Sequence, residues 1–152
     1  EFDTFLLGRR TFERIPGGGS AGGKKTKTYV FSRTLRQSDY PKVTIVNDKV
    51  EETVATLRAE QSDKDIWLFG GGALFRSLLD AGLVDTVEVG VIPVLLGQGI
   101  PLLPPPAKPG KPAKLKLTSH KVYEKTGIVS LRYDVVAEAA KAPRKSRPKR
   151  KA

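Results

Sequence analysis

The sequence predicts an α/β protein, and two observations carry this prediction. Short β-rich apolar runs alternate along the chain with segments of helical periodicity, which is the order of elements in an α/β domain. The last two runs instead alternate apolar and polar residues, which is typical of an antiparallel hairpin. We therefore expect a mixed sheet that is mostly parallel, ends in an antiparallel hairpin and is flanked by helices.

The first half of the chain predicts three strands and a short helix. The runs Thr4–Leu7, Thr28–Phe31 and Val43–Val46 have the composition of strands. A helix from about Arg10 to Ile15 follows the first run, and Pro16 stops it.

A second helix is expected to reach Gln61. Asp48 and Glu51 have the spacing of a capping box at its start. Its buried face is marked by apolar residues at helical spacing, namely Val50, Val54, Ala55 and Leu57.

The centre of the chain predicts a strand, a glycine turn and a third helix. Ile66–Phe69 is a continuous apolar run, the pattern of a strand covered on both faces, and Trp67 within it is interpreted as core rather than as a stacking residue. Gly70–Gly72 make the turn, and Gly82 lies where a C-terminal cap belongs. The inward face of the helix is formed by Leu74, Phe75, Leu78 and Leu79.

The C-terminal half predicts one long strand and a hairpin. The strand is Thr86–Val94, and the hairpin pairs Leu115–Tyr123 with Ile128–Val136 through a turn near Lys125–Gly127. Two segments rich in proline or glycine are expected to be irregular, at 16–23 and 101–112.

Composition excludes several classes of site. The 152 residues contain no Cys, which excludes disulfides, thiolate chemistry and Cys-ligated zinc. The single His120 makes a His-rich metal site impossible, and it is interpreted as a surface or satisfied residue rather than a general base. No stretch approaches the roughly 20 apolar residues of a membrane span. A cytoplasmic protein without a metal or a membrane partner is the expectation.

The net charge of +11 is concentrated in a tail. Seven of the 27 basic residues lie in 141–152, which contains no acidic residue. The rest of the chain has 20 basic and 16 acidic residues. We expect residues 139–152 to be a disordered basic tail that makes weak, nonspecific contact with nucleic acid through counterion release.

Three strand ends carry residues suited to binding phosphate. At Gly70–Gly72 a ligand could approach the backbone and the amides of the next helix, although a tight structural turn explains the glycines equally well. The second strand end offers a sharp turn, a hydroxyl and two guanidinium groups, at Gly8, Arg9, Arg10 and Thr11. The alternative interpretation is a solvated pair of arginines. The third strand end, at Ser32, Arg33 and Thr34, suits an additional phosphate such as the 2′-phosphate of NADP. The alternative interpretation is a polar strand terminus. Because ligands of open α/β sheets collect at strand ends, the coincidence of the three predicts a nucleotide site.

These segments resemble the dihydrofolate reductase-like superfamily. Leu6–Glu13, Tyr29–Leu35 and Ile66–Gly72 carry the resemblance. Val84–Leu102 is similar to the branch containing the reductase domain of the bifunctional riboflavin-biosynthesis deaminase-reductase, the RibD C-terminal type. The resemblance runs from about Asp3 to Val136.

The resemblance implies a sheet of about eight strands with NADPH across the strand ends. Gly8–Thr11 would meet the phosphates of the cofactor, Ser32 and Arg33 would hold its 2′-phosphate, and Gly70–Leu74 would pack against the pyrophosphate and nicotinamide. The cofactor-binding residues so implied are Gly8, Arg9, Arg10, Thr11, Ser32, Arg33, Thr34, Gly70, Gly71, Gly72, Ala73 and Leu74.

The resemblance also implies a segment that this sequence lacks. Members of the family begin with a further strand containing an S-L-D-G-like segment, a loop over the nicotinamide and a helix lining the substrate pocket. We therefore expect residues 1–138 to be an N-terminally incomplete reductase domain, and no catalytic residue is assigned.

The expected function is that of an NADPH-dependent reductase. The resemblance implies hydride transfer to a small heterocyclic or ribosylamino substrate, as in 5-amino-6-(5-phosphoribosylamino)uracil reductases, and a homodimer by analogy. Two alternatives stay open, a nucleotide-binding module with impaired turnover and a polyanion-binding protein acting through the tail.

Overall fold

Seven strands form two sheets in the computed structural model, which describes residues 2–16, 26–60, 63–106 and 112–136. The predicted basic tail at 139–152, Gln61 and parts of both irregular segments lie outside the described residues, so those predictions are not tested.

The first sheet is parallel and has four strands. They are β1 (Phe2–Gly8), β2 (Lys27–Phe31), β3 (Thr44–Val46) and β4 (Asp65–Gly70), in the order β3-β2-β1-β4. All four were predicted, and their carboxyl ends lie at one edge of the sheet.

The second sheet is antiparallel and has three strands. They are β5 (Thr86–Val91), β6 (Lys114–Tyr123) and β7 (Ile128–Val136), in the order β5-β7-β6, which confirms the predicted hairpin. β5 ends three residues before the predicted Val94. Pro93 has no N–H to donate, and the Val94 N–H instead bonds to the carbonyl of Ile92 across it at 2.8 Å.

Helices pack on both faces of the parallel sheet. α1 (Arg9–Phe12) is one turn long and shorter than predicted, whereas α2 (Val50–Ala59) and α3 (Gly72–Asp80) are longer helices. The face of the sheet covered by α1, here the α1 face, buries Phe5, Leu7, Phe12, Val30, Val43 and Ile45. The opposite face, here the α2–α3 face, buries Leu6, Phe31, Val54, Leu57, Leu74 and Leu78. None of the helices in the described ranges has the length and apolar character required to cross a bilayer.

The start of α2 differs from the prediction, whereas the end of α3 confirms it. The prediction that Asp48 and Glu51 form a capping box is wrong. The chain turns through a left-handed residue, Lys49 (φ 50°), so the helix begins one residue later than predicted and has no side-chain cap. Ala55 was also predicted to be buried and is exposed. At the end of α3, Gly82 (φ 69°) forms the expected cap, since the Leu83 N–H reaches back to the Leu78 carbonyl at 2.8 Å.

The prediction that β4 is covered on both faces is wrong. β4 is the edge strand of the parallel sheet, and only Ile66 and Leu68 pack into a core. Trp67 and Phe69 point to the α1 face and are 43% and 45% exposed, so Trp67 is not a core residue. The α1 face is covered near β2 and β3 but not near β4 in the described part of the chain.

Candidate cofactor site at the carboxyl edge of the parallel sheet

The three predicted phosphate-binding segments follow neighbouring strands. Gly8 is paired with Phe31, the residue before Ser32, and Leu7 is paired with Gly70. Because β2, β1 and β4 are parallel neighbours, their carboxyl ends place the three segments side by side. The sheet therefore brings together the segments that the sequence had marked separately.

Glycine at positions 70 and 71 allows the end of β4 to approach the start of α1. A Cβ atom placed on Gly70 would lie 3.2 Å from Cγ2 of Thr11, and one placed on Gly71 would lie 3.4 Å from Cα of Gly8. Gly71 also has φ +110° and ψ 100°, a conformation that L-residues rarely adopt. Gly8 itself is extended (φ −77°), so the sharp turn predicted there does not require glycine for its dihedral angles.

The third glycine meets a part of the chain that the sequence did not connect with this edge. A Cβ placed on Gly72 would lie 3.0 Å from Cδ of Pro104 and 3.1 Å from the carbonyl oxygen of Leu102. Arg76 in α3 donates to the Pro104 carbonyl at 3.0 Å. Residues 101–104, here the proline segment, thus cross the first turn of α3. Only their irregularity could be predicted.

The first turn of α3 offers backbone amides rather than side chains. No side chain caps the helix, and by helix geometry the amides of Gly72, Ala73 and Leu74 have no acceptor within it. Ala73 is exposed, but the Leu74 side chain is buried in the core of the α2–α3 face. Any contact of Leu74 with a ligand is therefore through its backbone.

The loop after β2 is held by hydrogen bonds around Ser32. The Ser32 hydroxyl is buried and accepts from the backbone N–H groups of Thr34 and Leu35 at 3.2 and 3.1 Å. The same hydroxyl lies 3.4 Å from the Thr34 hydroxyl, and either of the two can be the donor of that hydrogen bond. Asn47, at the end of β3, donates to the carbonyls of Ser32 and Leu35 at 2.7 and 3.0 Å. Asn47 was not predicted as a site residue, and its only signal in the sequence is an amide at a strand end.

Charged and polar side chains lie around this edge. Arg9 is half-buried and forms an ion pair with Glu13 at 2.9 Å, one turn later in α1. Arg10, Arg33 and Thr34 are exposed. The edge therefore combines helix amides with accessible guanidinium groups, a combination that suits an anionic ligand.

At the amino ends of the parallel strands, opposite the candidate site, a basic side chain is paired with a carboxylate. The ammonium group of Lys27, at the start of β2, donates to Glu60 at 3.1 Å, and this bond and the charge of Glu60 raise the pKa of Lys27. No group of three or more His, Cys, Asp or Glu side chains within the described ranges is arranged to hold a metal ion.

A groove of about 620 Å³ extends from the glycine turn along the edge of β4. One wall is formed by β4 and includes Trp67, Phe69 and Gly70, and the other is formed by β5 and includes Thr86 and Glu88. Leu102 of the proline segment also lines the groove. The groove therefore separates the two sheets.

Comparison with known proteins identifies the family. The family model for the RibD C-terminal domain matches residues 1–129. Two uncharacterized proteins of Bacillus subtilis (strain 168) are similar: YyaP is 36% identical over 114 residues, and YwjB is 34% identical over 101 residues. These matches cover 67% and 66% of this chain but only 60% and 58% of the relatives. The chain thus spans about three fifths of the length of the curated relatives it matches.

Solved structures share the fold. A putative riboflavin biosynthesis protein from Shewanella sp. PV-4 superimposes with a TM-score of 0.72 at 21% identity, covering 90% of this chain and 76% of that one. A pyrimidine reductase-like protein from Corynebacterium diphtheriae gives 0.69 at 16% identity, covering 90% and 77%. The fold of these neighbours is dihydrofolate reductase-like, as the sequence predicted. Because the family model matches most of its length, the chain belongs to the RibD C-terminal domain family.

Proposed function

We propose that this chain is the cofactor-binding part of an NADPH-dependent reductase of the riboflavin-biosynthesis type. In this proposal the reaction is hydride transfer to a small heterocyclic or ribosylamino substrate, such as 5-amino-6-(5-phosphoribosylamino)uracil, in the cytoplasm. Family membership and the reductase-like structural neighbours support the general class. The cofactor and the substrate are our inference.

One observation carries the proposal: three polar strand ends meet at a single edge of the sheet in a chain of this family. Gly8, Ser32 and Gly70 each lie at or directly after the end of a parallel strand, and those strands are neighbours. Ligands of open α/β sheets bind outside the carboxyl ends of such strands.

The residues at this edge fit the phosphate groups of NADPH. In this proposal the first-turn amides of α3 donate to the pyrophosphate, and the packing of Gly70 and Gly71 against Thr11 and Gly8 holds the end of β4 beside the start of α1. Arg33 is exposed beside the buried hydroxyl of Ser32, so in this proposal its guanidinium group meets the 2′-phosphate while Ser32 holds the loop through its hydrogen bonds to Thr34 and Leu35. NADPH, when bound, supplies the hydride, whereas the protein supplies orientation and electrostatics.

The test is a comparison of NADPH and NADH binding in the Arg33→Ala variant. Hydrogen bonds to charged groups contribute about 1.5–3 kcal/mol, so the Kd for NADPH should rise about tenfold or more while that for NADH stays unchanged. Cofactor fluorescence titrations at two salt concentrations measure both values.

Lys42→Ala is the matched control, because it removes an exposed positive charge just before β3, at the opposite edge of the sheet. It should leave both Kd values unchanged. An Arg33→Ala variant with wild-type affinity for NADPH, or a wild-type protein that binds NADH equally well, would show that Ser32 and Arg33 do not hold a 2′-phosphate.

Turnover assays separate an enzyme from a binding module. NADPH oxidation at 340 nm is followed with pyrimidine and pterin substrates. Cofactor binding without oxidation on either substrate would support the alternative of a nucleotide-binding module.

A further inference from the structure

We propose that two copies of this chain associate face to face through one side of the second sheet, and that protonation of His120 on that side weakens the association as the pH falls. The inference rests on the register of β5, β7 and β6, on the apolar surface that they expose and on the position of a single imidazole. The homodimer that the resemblance implies has no surface assigned to it by the sequence alone. The proposal does not depend on the proposed function.

One side of the second sheet is almost entirely apolar. Residues that pair directly across an antiparallel sheet point to the same side, so the register shows which side chains share it. This side, here the apolar face, carries the odd-numbered residues of β5 and β7, all of which are Val, Leu or Tyr. In β6 the residues paired with them are Leu115, Leu117, His120 and Val122.

A bulge in β6 brings His120 onto the apolar face. His120 and Leu117 are three positions apart and would point to opposite sides of a regular strand. The register shift after Leu117 leaves Thr118 as an extra residue, and its hydroxyl donates to the Arg132 carbonyl at 3.1 Å. His120 consequently pairs with Leu131 and shares the side of Leu117. An imidazole thus occupies a position in an otherwise aliphatic row of β6.

The apolar face and the loop after β5 expose enough surface for a stable dimer. Ten aliphatic side chains in β6 and in residues 91–102 are between 44% and 101% exposed. A fully exposed aliphatic side chain offers about 60–120 Å², so these ten present roughly 400–800 Å². A standard interface buries about 800 Å² on each partner, and somewhat more than half of it is apolar. The loop adjoins the sheet at its hairpin turn, because a Cβ on Gly127 would lie 3.2 Å from Cγ of Pro93.

The partner that fits this face is the same face of a second copy. Neither the apolar face nor residues 91–102 contain Lys, Arg, Asp or Glu, so they offer a charged partner nothing to pair with. Two sheets pack face to face about 10 Å apart, and a two-fold axis lets one patch cover itself. Lys114, Lys116 and Lys121 point from β6 to the other side, where they stay in water and oppose pairing of two β6 edges.

Protonation of His120 opposes burial of the apolar face. A charged imidazole loses its hydration in an apolar interface, so the neutral form is buried at much lower cost. Tyr133 is the other titratable group on the face, and no carboxylate on it balances the charge. Asp85, directly before β5, is paired with Arg58 at 2.8 Å, and residues 124–125 in the hairpin turn carry one charge of each sign. Acidification should therefore separate the two copies.

Sedimentation velocity at constant ionic strength, at about pH 8 and about pH 5.5, tests the proposal. An ordinary imidazole, with a pKa of about 6.5, is neutral in about one molecule in eleven at the lower pH. A dimer that needs two neutral imidazoles should therefore have a Kd about 100-fold higher there. His120→Leu should remain dimeric at both pH values and lose this dependence. The same pH dependence in His120→Leu would overturn the role of His120.

A pair of lysine substitutions in β6 tests the surface. Leu117→Lys puts a charge on the apolar face and should give a monomer at about pH 8, whereas Ser119→Lys puts it on the other side and should leave the dimer intact. Circular dichroism checks that each variant folds, and Val122→Lys, at a position that is 55% exposed, replaces Leu117→Lys if that variant does not fold. A wild-type chain that is monomeric at both pH values, or a dimer that survives Leu117→Lys or Val122→Lys, would overturn the proposal. So would binding of the monomer to phosphatidylcholine vesicles that Leu117→Lys abolishes, because the face would then meet a lipid surface.

Discussion

Alanine at position 71 should destabilise the protein and weaken cofactor binding together. Gly71 connects β4 to α3 with φ +110° and ψ 100°, outside the regions open to residues with a Cβ atom. Holding a non-glycine residue in such a region costs about 1–3 kcal/mol. Space is not the main obstacle, because the nearest atom to a Cβ on Gly71 is Cα of Gly8 at 3.4 Å.

The net effect is smaller than the backbone cost. Replacing glycine by alanine also reduces the entropy of the unfolded chain, which stabilises by about 0.4–1 kcal/mol. We therefore expect Gly71→Ala to lower the free energy of unfolding by about 1.3 kcal/mol, the difference between the midpoints of those ranges. Urea denaturation measures this. The same backbone relaxation shifts the first turn of α3, so the Kd for NADPH should rise several-fold.

Two other glycines separate the causes. Gly82 also has a positive φ (69°), but nothing lies within 4 Å of a Cβ there, so Gly82→Ala should cost stability without changing the Kd for NADPH. Gly90 in β5 has no positive φ and open space, and Gly90→Ala should be neutral or slightly stabilising. Wild-type stability of Gly71→Ala would refute the backbone argument. Equal losses of NADPH affinity in the variants at 71 and 82 would refute the placement of the site beside Gly71.

Three further predictions concern contacts around the same edge. Gly70→Ala should lower the stability of the protein by about 1 kcal/mol, because the new Cβ lies 3.2 Å from the methyl group of Thr11. Thr11→Ser removes that methyl group and should recover part of the loss. A double-mutant cycle in urea that shows no coupling between the two positions would contradict this. Asn47→Ala removes two hydrogen bonds to loop carbonyls, so thermal unfolding should show a loss of stability of about 1–3 kcal/mol. The Kd for NADPH should rise and that for NADH should not. Equal changes in both Kd values would argue against a 2′-phosphate at this loop. Gly72→Ala should displace the proline segment and speed its hydrogen exchange, whereas Gly99→Ala, with nothing within 4 Å, should not; unchanged exchange in Gly72→Ala would contradict the close contact.

Local patterns were reliable where the local sequence is sufficient to determine the structure. The alternation of apolar and polar residues predicted β6 and β7 within a residue, and Gly82 predicted the end of α3, because both depend on near neighbours in the chain. The capping box failed by one residue, since the left-handed conformation of Lys49 moved the start of α2.

The candidate site was predicted as separate segments rather than as an arrangement. Glycines and hydroxyls at strand ends marked Gly8–Thr11, Ser32–Thr34 and Gly70–Gly72. Their proximity depends on the strand order β3-β2-β1-β4, and the contact of the proline segment with Gly72 joins residues about 30 positions apart. The cofactor roles of these residues remain predictions.

The sequence by itself determined the fold class, the strand positions and the family, because periodicity and short motifs are local properties of the chain. Only the tertiary structure decided which strand lies at an edge. Ile66–Phe69 has the composition of a buried strand, but burial depends on what packs beside it. In the described residues one edge of β4 has no strand partner, and the part of the α1 face around Trp67 and Phe69 is not covered. A run of apolar residues indicates that a surface tends to be buried, but it does not identify the element that packs on that surface, which depends on the tertiary fold.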